Sequence, residues 1–301
     1  NSPMFKNFAG PKLKDVLGYI TRLNLRHVAS FFSRPTKNIS KRKISVNPNE
    51  LKIWTIGHAT VLINFYGTLI LTDPVFTSGL PIPKRKISPG YKIQDLPSLD
   101  FILLSHAHMD HLNKPSLKKL TSICDTVVIP RNCKDLLSKA QYKNVVILDW
   151  GNQTEQNGVK ISTFKPVHWG DRYPWQAHLN RGYNSYMLEK NGKSIFFCGD
   201  SGYGEFLKKI GQDFVVDIAL LPISAYNPPA FRKVHLNPQD AVQAFFDLKA
   251  KHFIPIHWGN FNLSLEPMDE PPKWQARLAK EKNIENQVHI LENGESFELE
   301  S

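Results

Sequence analysis

Cysteine is scarce in this chain. Cys124, Cys133 and Cys198 are the three present, an odd number with no Cys-x-x-Cys pair. That excludes a disulfide framework and leads to the expectation of a reducing compartment. Long apolar runs are missing too: no stretch of about 18 apolar residues occurs, so no spanning helix is expected. Neither low-complexity tracts nor short-period repeats occur, and the composition sets aside collagen-like and coiled-coil designs. Acidic residues are almost absent from one region, since residues 1–50 hold only Asp15 and Glu50.

Ten basic residues face those two acids (Lys6, Lys12, Lys14, Arg22, Arg26, Arg34, Lys37, Lys41, Arg42 and Lys43), so the head carries +8. The other 251 residues hold 28 Lys and Arg against 25 acids, which leaves +3 of the total +11. A basic head on a near-neutral body suits an anionic partner or serves as a solubilising extension. What the chain does have is apolar substance: 41% of its 301 residues are hydrophobic and 11% aromatic, ample for a core and too much for a disordered chain.

Two regions are expected. Residues 1–50 form a basic N-terminal extension, in which 12–32 carry Leu13, Val16, Leu17, Ile20, Leu23, Val28 and Phe31 at helical spacing and 33–50 read as a polar linker. Such a helix can lie on an anionic membrane surface or dock on its own domain or a second copy. Residues 51–301 form the catalytic domain. Short β-rich runs appear at 51–56, 60–65, 68–72, 101–104, 126–129, 144–148, 159–164, 184–189, 194–198, 217–221, 253–256 and 288–291. Asn191-Gly192 marks a hairpin. Helices are expected over 115–121, 132–140, 204–210, 238–250 and 273–282, the fourth opened by Asn237 and Pro238. This pattern predicts an α/β (α+β) body with two sheets covered by helices.

The decisive segment is Phe101-Ile-Leu-Leu-Ser-His-Ala-His-Met-Asp-His-Leu112. An apolar strand runs into His106, His108, Asp110 and His111, four residues of metal-ligating type within six positions. Imidazole and carboxylate together suit zinc, and less well iron or manganese. One loop cannot fill two metal shells, and three later candidates follow strands in the same way: His168 in Pro-Val-His-Trp-Gly, Asp200 in Cys-Gly-Asp-Ser-Gly and His257 in Ile-Pro-Ile-His-Trp-Gly.

The His106-x-His108-x-Asp110-His111 block resembles the HxHxDH signature of the metallo-β-lactamase superfamily, and His168, Asp200 and His257 match its remaining ligand positions in order. The resemblance implies a four-layer αββα sandwich with a dinuclear site along one edge. It assigns His106, His108 and His168 to the first metal, Asp110, His111 and His257 to the second, and Asp200 to both, with two zinc ions as the expected cofactor. Further segments narrow the likeness: Ile56-Gly-His58-Ala-Thr, Leu71-Thr-Asp73-Pro-Val-Phe, Gly199-Asp200-Ser-Gly-Tyr203, Leu221-Pro-Ile-Ser-Ala-Tyr226 and His235-Leu-Asn-Pro-Gln-Asp. They are similar to the branch of phospholipases D that hydrolyse N-acylphosphatidylethanolamine, and in part to a bacterial branch of lactonases. The thiolate that zinc β-lactamases place at the position of Asp200 is replaced here by a carboxylate, which disfavours penicillin hydrolysis. Cys198 is expected to be a small core residue, although strand period would turn it to the side of Asp200.

The resulting expectation is a dizinc phosphodiesterase acting on N-acyl phosphatidylethanolamine or a related lipid. The alternatives are a lactonase or sugar-phosphate hydrolase of the same fold, a nuclease, or a non-catalytic protein with a structural metal pair. Nucleic acid fits poorly because the charge excess lies in the head. Asp110, as a ligand at the reaction centre, and His235, as donor to the oxyanion or leaving group, are the candidate catalytic residues. His58 and Asp73 are expected to orient ligands. Trp169, Arg172, Tyr173, Tyr203 and Tyr226 are candidate substrate contacts, the aromatics as an acyl groove and Arg172 as a phosphate holder. A homo-oligomer and a peripheral membrane contact through residues 1–50 are open partners. A cytoplasmic or peripherally membrane-associated location is expected. Because Met is only fourth, a removed signal peptide stays open.

Overall fold

The computed structural model describes residues 43–300 except 81–82 and 138–139. The helix expected over 12–32 and most of the linker lie outside the described residues.

Among the described residues, thirteen strands form two sheets. The first holds β1 (Leu51–Gly57), β2 (Thr60–Phe65), β3 (Thr68–Thr72), β4 (Phe101–Leu103), β5 (Thr126–Pro130), β6 (Asn144–Leu148) and β13 (Ser296–Leu299), in the order β13-β1-β2-β3-β4-β5-β6. The second holds β7 (Gln153–Gln156), β8 (Val159–Phe164), β9 (Ser185–Lys190), β10 (Lys193–Phe197), β11 (Ile218–Pro222) and β12 (His252–Ile256), in the order β12-β11-β10-β9-β8-β7. The helices are α1 (Lys114–Leu120), α2 (Glu205–Asp213), α3 (Pro238–Asp247) and α4 (Glu270–Glu281).

The central strands are apolar on both faces because each face meets a different layer. Alternate residues divide cleanly. Ile53, Ile63, Ile70, Tyr186, Phe197, Leu220 and Ile254 fill the space between the sheets. Trp54, Leu62, Leu71 and Ile102 face outward against Leu117 and Leu120 of α1. Phe196, Ala219 and Phe253 face Leu207 of α2, Val242 and Phe245 of α3 and Leu278 of α4. The result is the expected helix–sheet–sheet–helix sandwich. Asn191 and Gly192, both at positive φ, close the β9–β10 hairpin, with Lys190 opposite Lys193. Asn237 accepts from the Asp240 N–H at 2.8 Å and caps α3.

Two expectations are corrected, and one strand is added. The helix expected over 132–140 is a 3₁₀ turn, Lys134–Leu137, opened by Asn132 at positive φ and held by the Leu136 N–H on Cys133 rather than by a longer i→i−4 ladder. Residues 288–291 contribute one isolated bridge, Val288 to Phe253, and the strand that closes the first sheet is β13. β7 was missed because Gln-Thr-Glu-Gln has no apolar member, which an exposed edge strand does not need. Among the described residues, no helix is long and apolar enough to cross a membrane.

Candidate metal centre

Six strands of the two sheets deliver polar residues from their carboxyl ends. β1 leads to His58, β3 to Asp73, β4 to the loop 104–113, β8 to His168, β10 to Asp200 and β12 to His257. Asn113 caps α1 by accepting from the Ser116 N–H at 3.1 Å, so the histidine loop ends in a helix start. His58, Asp73 and His257 all sit at positive φ, a cost that the surrounding structure must hold in place.

Two groups of potential ligand atoms result. His106, His108, His168 and Asp200 form one, and His58, Asp110, His111 and His257 the other, with the atoms of each group within 4.8 Å of one another. Asp200 reaches both: its Oδ2 lies 4.0 Å from Nε2 of His106 and of His168, 3.1 Å from His111 Nε2 and 3.2 Å from His257 Nε2. Asp110 Oδ2 lies 3.0 Å from His58 Nε2, 3.4 Å from His257 Nε2 and 3.5 Å from His111 Nε2.

Hydrogen bonds set the tautomers. Asp73 accepts from the Ser105 N–H at 2.7 Å, from the Ser105 hydroxyl at 2.5 Å and from His111 Nδ1 at 2.7 Å. The Ser105 oxygen, having donated to Asp73, accepts from His106 Nδ1 at 2.9 Å. His168 Nδ1 donates to the Val234 carbonyl at 2.9 Å. Nε2 of both His106 and His168 is therefore a bare lone pair. These lie 2.8 and 3.3 Å from His108 Nδ1, which can supply at most one proton to the two. Asp200 Oδ1 is buried without an aligned hydrogen-bond partner. Lone pairs converging with too few protons are what a cation corrects, and five imidazoles with two carboxylates fit zinc, iron or manganese.

The electrostatics agree. Burial drives the pKa of His106 and His168 well below 6.5, that of His108 down to about 4 and that of His58 to about 3, helped by neighbouring imidazoles. Burial opposes charge at Asp110 and Asp200 as well, yet His111 and its neighbours hold both well below 3.8. The centre is thus a set of neutral imidazoles around two carboxylates, with protons retained at His111 and His257.

His235 stands beside this set, Nε2 3.6 Å from Asp200 Oδ2 and Nδ1 3.3 Å from the Phe231 carbonyl. The substrate candidates divide. Trp169 packs on the rings of His168 and His108 at 4.4 and 4.7 Å. Arg172 directs Nη1 to the carbonyls of Ala107 and Leu112, each at 2.9 Å, and so clamps the histidine loop. Tyr173 stacks on Trp175 at 4.8 Å. Tyr203 bonds Asp247, and Tyr226 donates to Glu270 at 2.6 Å, so both hydroxyls are engaged on helices. Cys198 packs in the helix layer, and burial, with the charge of Asp200 in the same sense, pushes its thiol up. Sequence reasoning missed Ser105 and the Val234 carbonyl: a serine beside a histidine has no spacing signature, and a carbonyl is present at every position.

The chain matches the beta-lactamase superfamily domain over residues 68–258. It is 31% identical over 259 residues to the N-acyl-phosphatidylethanolamine-hydrolyzing phospholipase D 1 of Caenorhabditis elegans, covering 78% of this chain and 72% of that one. It is 30% identical over 255 residues to the mitochondrial N-acyl-phosphatidylethanolamine-hydrolyzing phospholipase D of Saccharomyces cerevisiae, covering 80% of this chain and 54% of that one. Among solved structures, Igni18, a metallo hydrolase from the archaeon Ignicoccus hospitalis, superposes with a TM-score of 0.65 at 18% identity, over 84% of this chain and 99% of that one. The matched domain, the identity to the worm relative and the shared sandwich agree: the chain belongs to the metallo-β-lactamase superfamily.

Proposed function

We propose that this metal-dependent hydrolase is a phosphodiesterase of phospholipase D type, acting on N-acyl phosphatidylethanolamine or a related lipid phosphodiester. The observation that carries the reading is the position of Asp200, a carboxylate within 3.1–4.0 Å of imidazoles from both ligand groups. Such a carboxylate suits a two-ion site and phosphoester chemistry, and the worm and yeast relatives bear the name of that activity.

His106, His108 and His168 would hold one ion and Asp110, His111 and His257 the other, with Asp200 shared. Ions bound there would acidify a water and polarise a phosphoryl oxygen. The chain's own residues do the rest. Ser105 and Asp73 hold the rings of His106 and His111 in one tautomer. His58 donates from Nε2 to Asp110 and fixes that carboxylate's direction. His235, with Nδ1 on the Phe231 carbonyl, presents Nε2 beside Asp200, and as the imidazolium it would pass its Nε2 proton to the departing alkoxide when the P–O bond on the alcohol side breaks, leaving a neutral ring. Trp169 covers the ligand rings and narrows water access.

The test is a substrate comparison on zinc-loaded protein: N-acyl phosphatidylethanolamine in vesicles, a small soluble phosphodiester, a lactone and RNA. Phosphatidic acid and N-acylethanolamine should appear in equal amounts. The His235→Ala variant should keep its zinc and lose turnover by about 10²–10⁴-fold. Turnover of the lactone alone, with the lipid untouched, would overturn the reading in favour of a lactonase.

A further inference from the structure

His257 is held differently from three other imidazoles of the candidate centre. His106, His111 and His168 are each turned by a hydrogen bond at Nδ1, to Ser105, Asp73 and the Val234 carbonyl. The Nδ1 of His257 is buried and, among the described residues, has no hydrogen-bond partner. Its ring is set instead by its backbone and by the rings beside it. The backbone stands at φ +65, in the left-handed region that strains a residue with a Cβ. Its N–H donates to the His58 carbonyl at 3.0 Å, and its carbonyl accepts from the Ser224 hydroxyl. The imidazole packs on those of His58 and His111, at centroid distances of 4.0 and 5.1 Å.

Ser224 belongs to the loop that leaves β11, and this loop is strained as well, since Ala225 stands at φ +68. Glu266, 41 positions further along, holds it. One carboxylate oxygen accepts from the Ala225 N–H at 2.7 Å and the other from the Asn227 N–H at 3.1 Å. The neighbouring Leu265 N–H donates to the Asn227 carbonyl at 3.0 Å. Glu266 is 5% exposed, so its carboxylate is taken out of water for these two backbone donors. Burying a charge is costly unless it is well bonded, and bonds from N–H groups to a carboxylate are among the strong ones. A buried carboxylate spent on one turn, whose serine is bonded to the backbone of a candidate ligand, is a device for fixing that ligand.

We infer that Ser224 and Glu266 are positioning residues for His257. Glu266 fixes the Ala225–Asn227 turn, the turn presents the Ser224 hydroxyl, and the hydroxyl holds the His257 carbonyl and with it the direction of Nε2. The role rests on the proposed ligand set, in which His257 shares an ion with Asp110 and His111, and not on the choice of substrate. It makes the two ions unequal: loosening this loop weakens the ion that His257 holds and spares the one held by His106, His108 and His168.

The metal-free full chain is titrated with Co(II), whose visible absorption reports the ligands and geometry of each bound ion, and the melting temperature of every metal-free variant is recorded. His257→Ala is the reference, since it marks the cobalt equivalent that His257 holds. Ser224→Ala and Glu266→Gln should each weaken that equivalent by about 10–100-fold and shift its absorption, with the other equivalent unchanged. Ser224→Thr, which restores a hydroxyl, should recover the wild-type affinity and spectrum and guards against a folding defect. Wild-type affinity and spectrum in either Ser224→Ala or Glu266→Gln would overturn the proposal. So would equal weakening of both equivalents with a lowered melting temperature, which would make the pair a structural brace alone. Cobalt binding untouched by His257→Ala would remove His257 as a ligand and the positioning role with it. Selective loss of the His257 equivalent in a protein that cleaves only lactones would keep the positioning role and discard the phospholipase reading.

Discussion

Two histidines keep protons where the other imidazoles of the candidate centre do not. Burial disfavours an imidazolium at His257, but Asp200 and Asp110 outweigh it and raise its pKa from 6.5 to about 9. At His111 burial is likewise outweighed, here by Asp200, Asp110 and Asp73, and the pKa stands well above 6.5. These protons lie beside the carboxylates of Asp110 and Asp200. A group whose folded pKa is raised adds stability that is complete below its unfolded value and is lost as pH climbs through the folded value. Chelator-treated protein should therefore melt at progressively lower temperature from about pH 6.5 to about 9, judged by the His257 values. The zinc-loaded protein, whose imidazoles must be neutral to ligate, should not follow that decline. Differential scanning fluorimetry across this range, with and without chelator, decides it; a flat chelated profile would contradict the assignment.

At the scale of elements, the ends of β4 and β10 must approach each other, although they belong to different sheets. Gly199 makes this possible. It sits at φ +62, and a Cβ there would lie 2.7 Å from the Cβ of Ser105 and 3.2 Å from its hydroxyl oxygen. That serine holds both Asp73 and His106. Gly199→Ala should lose about 1–2 kcal/mol from the left-handed backbone alone. It should also weaken zinc binding by about 10–100-fold, because the residue that orients His106 is displaced. Competition with a chromogenic chelator measures the second effect, and unchanged affinity would show that Ser105 does not set the ligand geometry. The same scale shows why some elements were readable and others not. β1 to β3 were legible because each is a largely apolar run of strand length and the turns between them are short, and β6 and β8 because apolar residues recur along them. The turn at 134–137 and strand β13 were not, because the first depends on how the chain leaves β5 and the second on an open edge of β1.

For the whole molecule, the packing of one sheet on the other sets the distance between the two halves of the donor set. His58, Asp73, His106, His108, Asp110 and His111 hang from the first sheet, and His168, Asp200 and His257 from the second. Phe197, fully buried in the layer between them, lies three residues before Asp200. Phe197→Ala should cost about 3–5 kcal/mol of stability through lost burial and the cavity left behind. Chemical denaturation of the metal-free protein should show the loss, and a change below about 1 kcal/mol would mean that this layer can collapse to fill the gap.

The sequence alone determined the sandwich and the order of its candidate ligands. Apolar runs of strand length need a covering layer on each face, and HxHxDH, His168, Asp200 and His257 carry their chemistry in their own side chains. Tertiary structure alone decided the partners. It set Arg172 Nη1 on two carbonyls of the histidine loop, and it sent the hydroxyls of Tyr203 and Tyr226 to Asp247 and Glu270. It also placed Ser105 between Asp73 and His106 and left Trp175 in water. The physical reason is range: periodicity and residue type are local properties of the chain, whereas a hydrogen-bond partner is chosen only when strands distant in sequence are brought side by side.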